Sequence, residues 1–188
     1  MSATGRGKPR EENDFYPTPA DCIDKILPHV LQPWMKSCLD PAAGDGIILD
    51  RVKWFRPDIV TRGIEIDSSR YEQVRVNHNS SIHSDALVNL DLWSNPDIII
   101  TNPPYGISDS FLRLALNVSK HVVFLLRQAF IVPKARGDLF KNYACDLYFC
   151  QKRPSFVPPS NGERKGNDNA EYAWYYFHPW SERKWYVI

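Results

Sequence analysis

Cysteine is sparse. Cys22, Cys38, Cys145 and Cys150 are the only four in 188 residues, and none belongs to a Cys-x-x-Cys pair. No histidine cluster accompanies them, which argues against a zinc site and favours free thiols in a reducing cytosol over disulfides. Long hydrophobic runs are also missing. No stretch approaches the ~20 apolar residues of a bilayer span, and the first residues are polar, so neither a membrane helix nor a signal peptide is expected and the chain reads as cytoplasmic. A dominant charge is lacking too: 23 Lys/Arg face 22 Asp/Glu, for a net charge of +1. That excludes the strongly basic coat of a non-specific nucleic-acid binder. The two halves differ, with 11 Lys/Arg against 14 Asp/Glu in residues 1–94 and 12 against 8 in residues 95–188. A basic second half suits a surface facing phosphates, and equally an ordinary solvated surface.

What is present is ordinary for a globular chain, with 43% hydrophobic and 24% charged residues. This length buries a substantial core without covalent staples. Residues 1–14 are polar and rich in Gly, Lys and Arg, and are expected to form a disordered tail. Residues 15–188 read as one domain, without internal repeats. Thr18-Pro19-Ala20-Asp21 has the form of a helix start, with Thr18 as N-cap and Pro19 at the first helical position. Ile23, Ile26, Leu27, Val30 and Leu31 give that helix an apolar face, which Pro28 is expected to shorten or kink. Strands are expected at 37–40, 59–66, 81–84, 97–101 and 121–126, with helices near 44–55, 69–77 and 109–119 between them. Regular alternation of β and α predicts a parallel sheet with helices on both faces. Residues 146–152 and 171–177 are aromatic-rich strand candidates joined without a helix, and so should pair antiparallel.

The most informative residues are Ile100-Thr101-Asn102-Pro103-Pro104-Tyr105-Gly106. They follow a β-branched run that reads as a buried parallel strand. Two prolines lack the N–H groups a strand needs, so the backbone must leave the sheet at its carboxyl end, where open α/β sheets hold ligands. Upstream, Asp40-Pro41-Ala42-Ala43-Gly44-Asp45-Gly46 follows the first strand. Gly63-Ile64-Glu65-Ile66-Asp67 follows the second, and Ser84-Asp85-Ala86 the third. Taken singly, each has a plain structural reading: a turn that ends a strand, a glycine turn, a helix-start charge, a helix cap.

In this order the motifs resemble class I S-adenosylmethionine-dependent methyltransferases of the Asn-Pro-Pro-Tyr type, whose best-known group methylates adenine N6 in DNA. The small phage and prophage enzymes are similar in size and in the ending 169–177. The resemblance covers roughly residues 15–105. It implies a Rossmann-like, seven-stranded, mostly parallel sheet with an antiparallel C-terminal strand. It also implies that S-adenosylmethionine is bound by Tyr16, Pro17 and Thr18 as part of a lid. Asp40, Ala42, Gly44 and Gly46 would receive its amino-acid end, Glu65 (rather than Asp67) and Ile66 its ribose, and Asp85 and Ala86 its adenine, with Asn102 alongside. No metal is implied.

The implied chemistry accounts for the catalytic residue types. An exocyclic amine on an aromatic ring is a poor nucleophile because its lone pair is delocalised. The Asn102 side-chain oxygen and the Pro103 carbonyl are two acceptors for its N–H groups, favouring a pyramidal nitrogen with an aimed lone pair. Pro104 stiffens the loop, and Tyr105 offers a flat face for stacking. Arg153-Pro154-Ser155-Phe156 lies where related enzymes place a second aromatic, so Tyr105 and Phe156 would sandwich a base turned out of the duplex. Phe156 as a core aromatic is the alternative.

Related DNA enzymes carry a sizeable recognition region, for which little chain remains here. Lys134 and Arg136 in one late loop, and Arg164 and Lys165 in another, are the candidate phosphate contacts, or else belong to solvated loops. DNA is the expected partner, with RNA and a protein partner supplying recognition as alternatives. The same tetrapeptide serves cytosine-N4, ribosomal guanine-N2 and protein-glutamine methylation. A catalytically silent subunit of a heterodimer is a different class of reading, although every catalytic-loop residue is present.

Overall fold

The computed structural model describes residues 17–152, 154, 156 and 170–188. The 1–14 tail, Tyr16, Arg153, Arg164 and Lys165 lie outside the described residues.

Helix α1 (Ala20–Val30) precedes strand β1 (Ser37–Asp40). There follow α2 (Ile47–Phe55), β2 (Val60–Glu65), α3 (Ser68–Asn77), β3 (Ile82–His83) and β4 (Ile98–Thr101). After these come α4 (Ser108–Val118), β5 (Val122–Arg127), α5 (Gly137–Asn142), β6 (Cys145–Phe149), β7 (Tyr172–Phe177) and β8 (Trp185–Val187). The strands form one sheet in the order β3-β2-β1-β4-β5-β7-β6-β8. All neighbours are parallel except β7, which runs antiparallel to both β5 and β6. The order reverses between β1 and β4, opening a crevice at the carboxyl ends of those strands.

This is the expected Rossmann-like sheet with two refinements. The chain adds an eighth strand, β8, beside β6. The late strands β6 and β7 do pair antiparallel, but β7 inserts between β5 and β6. The inner strands read as continuous apolar runs because both of their faces are covered. In β5, Val123 and Leu125 join the core under α1 and α2, while Val122, Phe124 and Leu126 join the core under α4. In β7, Tyr172, Trp174 and Tyr176 face the first side, and Ala173, Tyr175 and Phe177 the second.

Helix α1 begins one residue later than expected. Pro19 is its N-cap, with extended dihedrals and no side-chain cap bond, so the Thr18 hydroxyl does not cap it. Pro28 lies inside the helix, which continues to Val30. Among the described residues no helix is long and apolar enough to cross a membrane, and no group of three or more His, Cys, Asp or Glu is placed to hold a metal ion.

Candidate active site

A cleft of about 400 Å³ opens at the carboxyl ends of β1, β2 and β4, within the size range of small-molecule sites. Its floor is the loop after β1. Gly44 and Gly46 have φ of +57° and +86°, a left-handed backbone that only glycine enters without strain, and this folds residues 41–46 into a tight turn. The turn is fastened to the neighbouring strand at two points. Ala43 N–H donates to the Ile64 carbonyl at 3.0 Å, and Gly44 N–H donates to Glu65 Oε2 at 2.7 Å. Gly63 makes this approach possible, since a Cβ there would sit 2.7 Å from the Ala43 Cβ.

Asp40 ends β1 and is almost fully buried. Its Oδ1 accepts from Ala42 N–H at 3.1 Å. Its Oδ2 and the buried Thr101 hydroxyl make no bond of full hydrogen-bond geometry among the described residues, yet the hydroxyl stands near enough to favour the charged carboxylate. Burial pushes the Asp40 carboxyl up to about 7, because desolvation penalises the charged form. A buried acid among the residues that line a cleft makes the potential there negative when ionised, which suits a cationic ligand group.

Glu65 ends β2. Besides Gly44, its carboxylate accepts from Asp67 N–H at 2.8 Å and from Arg70 Nε at 3.4 Å. It lines the cleft with Ile66, which is half exposed. Asp67 has the other role the sequence allowed, capping α3 by accepting from the Ser69 and Arg70 N–H groups. Asp85 lies on the far wall with Ala86, and its Oδ1 accepts from Leu87 N–H at 2.8 Å in a local turn. Both its structural reading and its place at the cleft therefore hold.

Asn102, Pro103, Pro104 and Tyr105 leave β4 and form the opposite wall. The Asn102 side chain is oriented at both ends. Its Nδ2 donates to the Thr18 hydroxyl at 3.0 Å, and its Oδ1 accepts from the Tyr105 hydroxyl at 3.1 Å. Thr18, freed from capping, is buried and lines the same cleft. The segment before α1 and the loop after β4 thus meet through one side chain.

Tyr105 contacts Tyr172 at 5.6 Å between ring centroids, and the Arg127 guanidinium lies 5.4 Å over its ring. Phe156 is buried and meets Tyr172 edge-on at 4.9 Å, so Tyr172 touches both aromatics expected to hold a base. Sequence reasoning did not single out Tyr172, Arg70 or Arg127, and it quoted Gly63 only as part of the run around Glu65. Position at a strand's carboxyl end was the available signal for Arg127.

Of the described basic candidates, Lys134 is exposed on the surface. Arg136 is held inward. Its guanidinium covers the Phe130 ring at 3.9 Å, donates to the Phe130 carbonyl at 3.0 Å and pairs with Asp109 at 3.4 Å.

No protein-family model matches the chain, and no curated protein matches it. Solved structures do. A candidate RNA methyltransferase from Pyrococcus horikoshii is similar over 93% of this chain and 92% of its own, with a TM-score of 0.70 and 18% identity. The modification subunit of a candidate type I restriction enzyme from Vibrio vulnificus is similar over 93% of this chain, with a TM-score of 0.67 and 16% identity. The methyltransferase subunit of a type I restriction-modification system from Streptococcus thermophilus is similar over 92%, with a TM-score of 0.68 and 16% identity. The chain spans 47% of each of these two subunits. The fold is that of the Rossmann-like methyltransferases.

Proposed function

We propose that the chain transfers a methyl group from S-adenosylmethionine to an exocyclic amino nitrogen, namely N6 of adenine in DNA. One observation carries this reading. Asn102 lies on the wall of a single cleft with its amide oriented by Thr18 and Tyr105, opposite the buried acid Asp40, the Gly44 turn and Glu65. The residues present suit the cofactor. The negative charge of Asp40 behind the cleft wall fits its ammonium end, Glu65 its ribose hydroxyls and Asp85 its adenine, with Ile66 and Ala86 as apolar lining. When bound, S-adenosylmethionine supplies an electrophilic methyl carbon. The chain itself holds and polarises the amine. Asn102 Oδ1 and the Pro103 carbonyl accept its two N–H groups, localising the lone pair as positive charge develops. Tyr105 stacks on the base, and Arg127 above that ring adds positive charge where a phosphate would pass.

The test is transfer of labelled methyl to DNA, RNA and protein by the purified chain, followed by nucleoside analysis. N6-methyladenine in DNA is the expected product. Label in RNA alone moves the substrate, while cofactor binding without transfer to any polymer refutes catalysis by the isolated chain. Mapping methylated adenines after expression in a methylation-free host then reads the target sequence.

A further inference from the structure

Two cysteines from distant parts of the chain meet beside α1. Cys22, in the first turn of α1, and Cys150, just past β6, have sulfurs 3.7 Å apart. Their backbones are tied to the same strand. The Cys22 carbonyl accepts from Trp174 Nε1 at 3.3 Å, and the Cys150 N–H donates to the Tyr172 carbonyl at 3.2 Å. The meeting is therefore built into β7, not left to two mobile side chains. Beside the sulfurs is a small cavity of about 60 Å³ bordered by Lys25, Lys152 and Asp21. Cys22 is buried, whereas Cys150 is partly exposed. With no third His, Cys, Asp or Glu grouped with them among the described residues, the pair lacks the ligand set of a metal site.

We infer that Cys22 and Cys150 form a peroxide-reactive dithiol, with Cys150 as the attacking sulfur and Cys22 as the resolving one. The cavity is large enough for a molecule of peroxide size, and Lys25 favours an anionic sulfur there, opposed by Asp21. The hydrogen bond from Cys22, helped by Lys25, holds the Cys150 thiol below its ordinary range, while the shared proton and burial push Cys22 up. The Cys150 thiolate attacks one peroxide oxygen. The S–O bond forms, the O–O bond breaks and hydroxide leaves, giving the sulfenic acid. The Cys22 sulfur then attacks the Cys150 sulfur, its proton passing to the departing hydroxyl. The S–S bond forms, the S–O bond breaks and water leaves. Two thiols are oxidised to one disulfide, and one peroxide is reduced to two waters. The new bond would brace the cleft on two sides. Thr18, four residues before Cys22, holds Asn102, and Phe156, six residues after Cys150, meets Tyr172.

The test uses the full reduced chain and hydrogen peroxide, and its readouts do not involve methyl transfer. Intact mass should fall by the two hydrogens lost, and digestion should yield a Cys22–Cys150 linked peptide. That link should form about tenfold faster than any oxidation of the buried Cys38 and Cys145. Thermal unfolding should shift upward on oxidation and return with dithiothreitol. In Cys22→Ser, dimedone should trap a sulfenic acid on Cys150; in Cys150→Ser, Cys22 should stay unmodified at the same dose. Cys22→Ala serves should the serine variant not fold, and dimedone competition in the parent reads the same intermediate. Absence of the linked peptide, oxidation of Cys38 or Cys145 at the same rate, or a sulfenic acid on Cys22 would each overturn the proposal.

Discussion

Replacing Thr18 with valine separates two roles that the cleft allows for this residue. The side chains are nearly isosteric, and Thr18 is only 5% exposed, so packing is conserved while the hydroxyl is lost. That hydroxyl accepts the 3.0 Å bond from Asn102 Nδ2. The net worth of such a bond is about 0.5–1.5 kcal/mol, and removing one acceptor from a partly buried donor falls toward the lower part of the ~1–3 kcal/mol range. Asn102 also keeps the Tyr105 hydroxyl on its oxygen, so its side chain is loosened and not released. A loss of about 1–2 kcal/mol in the oriented state corresponds to roughly a 5- to 30-fold fall in kcat. Asn102→Ala removes the acceptor itself and should cost roughly 100- to 1000-fold. Single-turnover methyl transfer and calorimetric titration of S-adenosylmethionine should be measured on the same preparations. Thr18→Val should lower the rate with cofactor affinity unchanged, and Thr18→Ser should restore it. A valine variant that keeps its rate but loses cofactor affinity would refute the positioning role and make Thr18 a cofactor contact.

Gly63→Ala places a methyl 2.7 Å from the Ala43 Cβ and 3.0 Å from Val74 Cγ1; overpacking of this kind costs about 1–3 kcal/mol, read as a lower urea midpoint. Asp40 has a folded-state pKa raised to about 7 from 3.8 by burial. Its protonated form is thus favoured by folding, and the stability it contributes is full below pH 3.8 and lost as pH rises through 7. Asp40→Asn should flatten that part of the pH–stability curve, and cofactor affinity, which should strengthen as the parent passes pH 7, should lose this dependence. A parent whose affinity is flat from pH 6 to 8 would exclude Asp40 as the ammonium partner. Lys134→Gln should weaken DNA binding equally on all sequences and reduce the salt slope by about 1. Arg136→Gln should in addition lower thermal stability, because that side chain holds Asp109 and the Phe130 ring.

The inner sheet was legible in the sequence because its strands are buried on both faces and carry unbroken β-branched or aromatic runs. Residues 98–101 and 172–177 announce themselves in this way. β8 was not legible, since Trp185, Tyr186 and Val187 are all exposed and show no alternation between faces. The cleft residues were readable where a motif follows a strand, as at Asp40, Glu65 and Asn102. Thr18 was misread as a helix cap because Thr-Pro is a strong local start signal, and its partner lies 84 residues away. Arg136 was read as a surface cation for the same reason: nothing local reveals that Asp109 and Phe130 claim it. Glu65 was expected only as a ligand contact, and its anchoring of the Gly44 turn depends on β1 and β2 lying side by side.

The insertion of β7 between β5 and β6 has a consequence for how the chain comes to be folded. During synthesis β5 emerges with one edge unpaired, and β6 follows with no neighbour at all, because the strand that joins them begins only at Tyr172. At ~5–20 residues per second, the stretch from Arg127 to Tyr172 keeps that edge open for roughly 2–9 s. The apolar face of β5 and the aromatic β6 are then available to a chaperone or to another nascent chain. The cleft residues, all earlier than β5, are made before the sheet that supports them is closed. Folding is therefore governed by a late, long-range event. Ribosome-stalled chains ending before Tyr172 should be protease-sensitive throughout β5, and chains extended past Phe177 should become protected in one step.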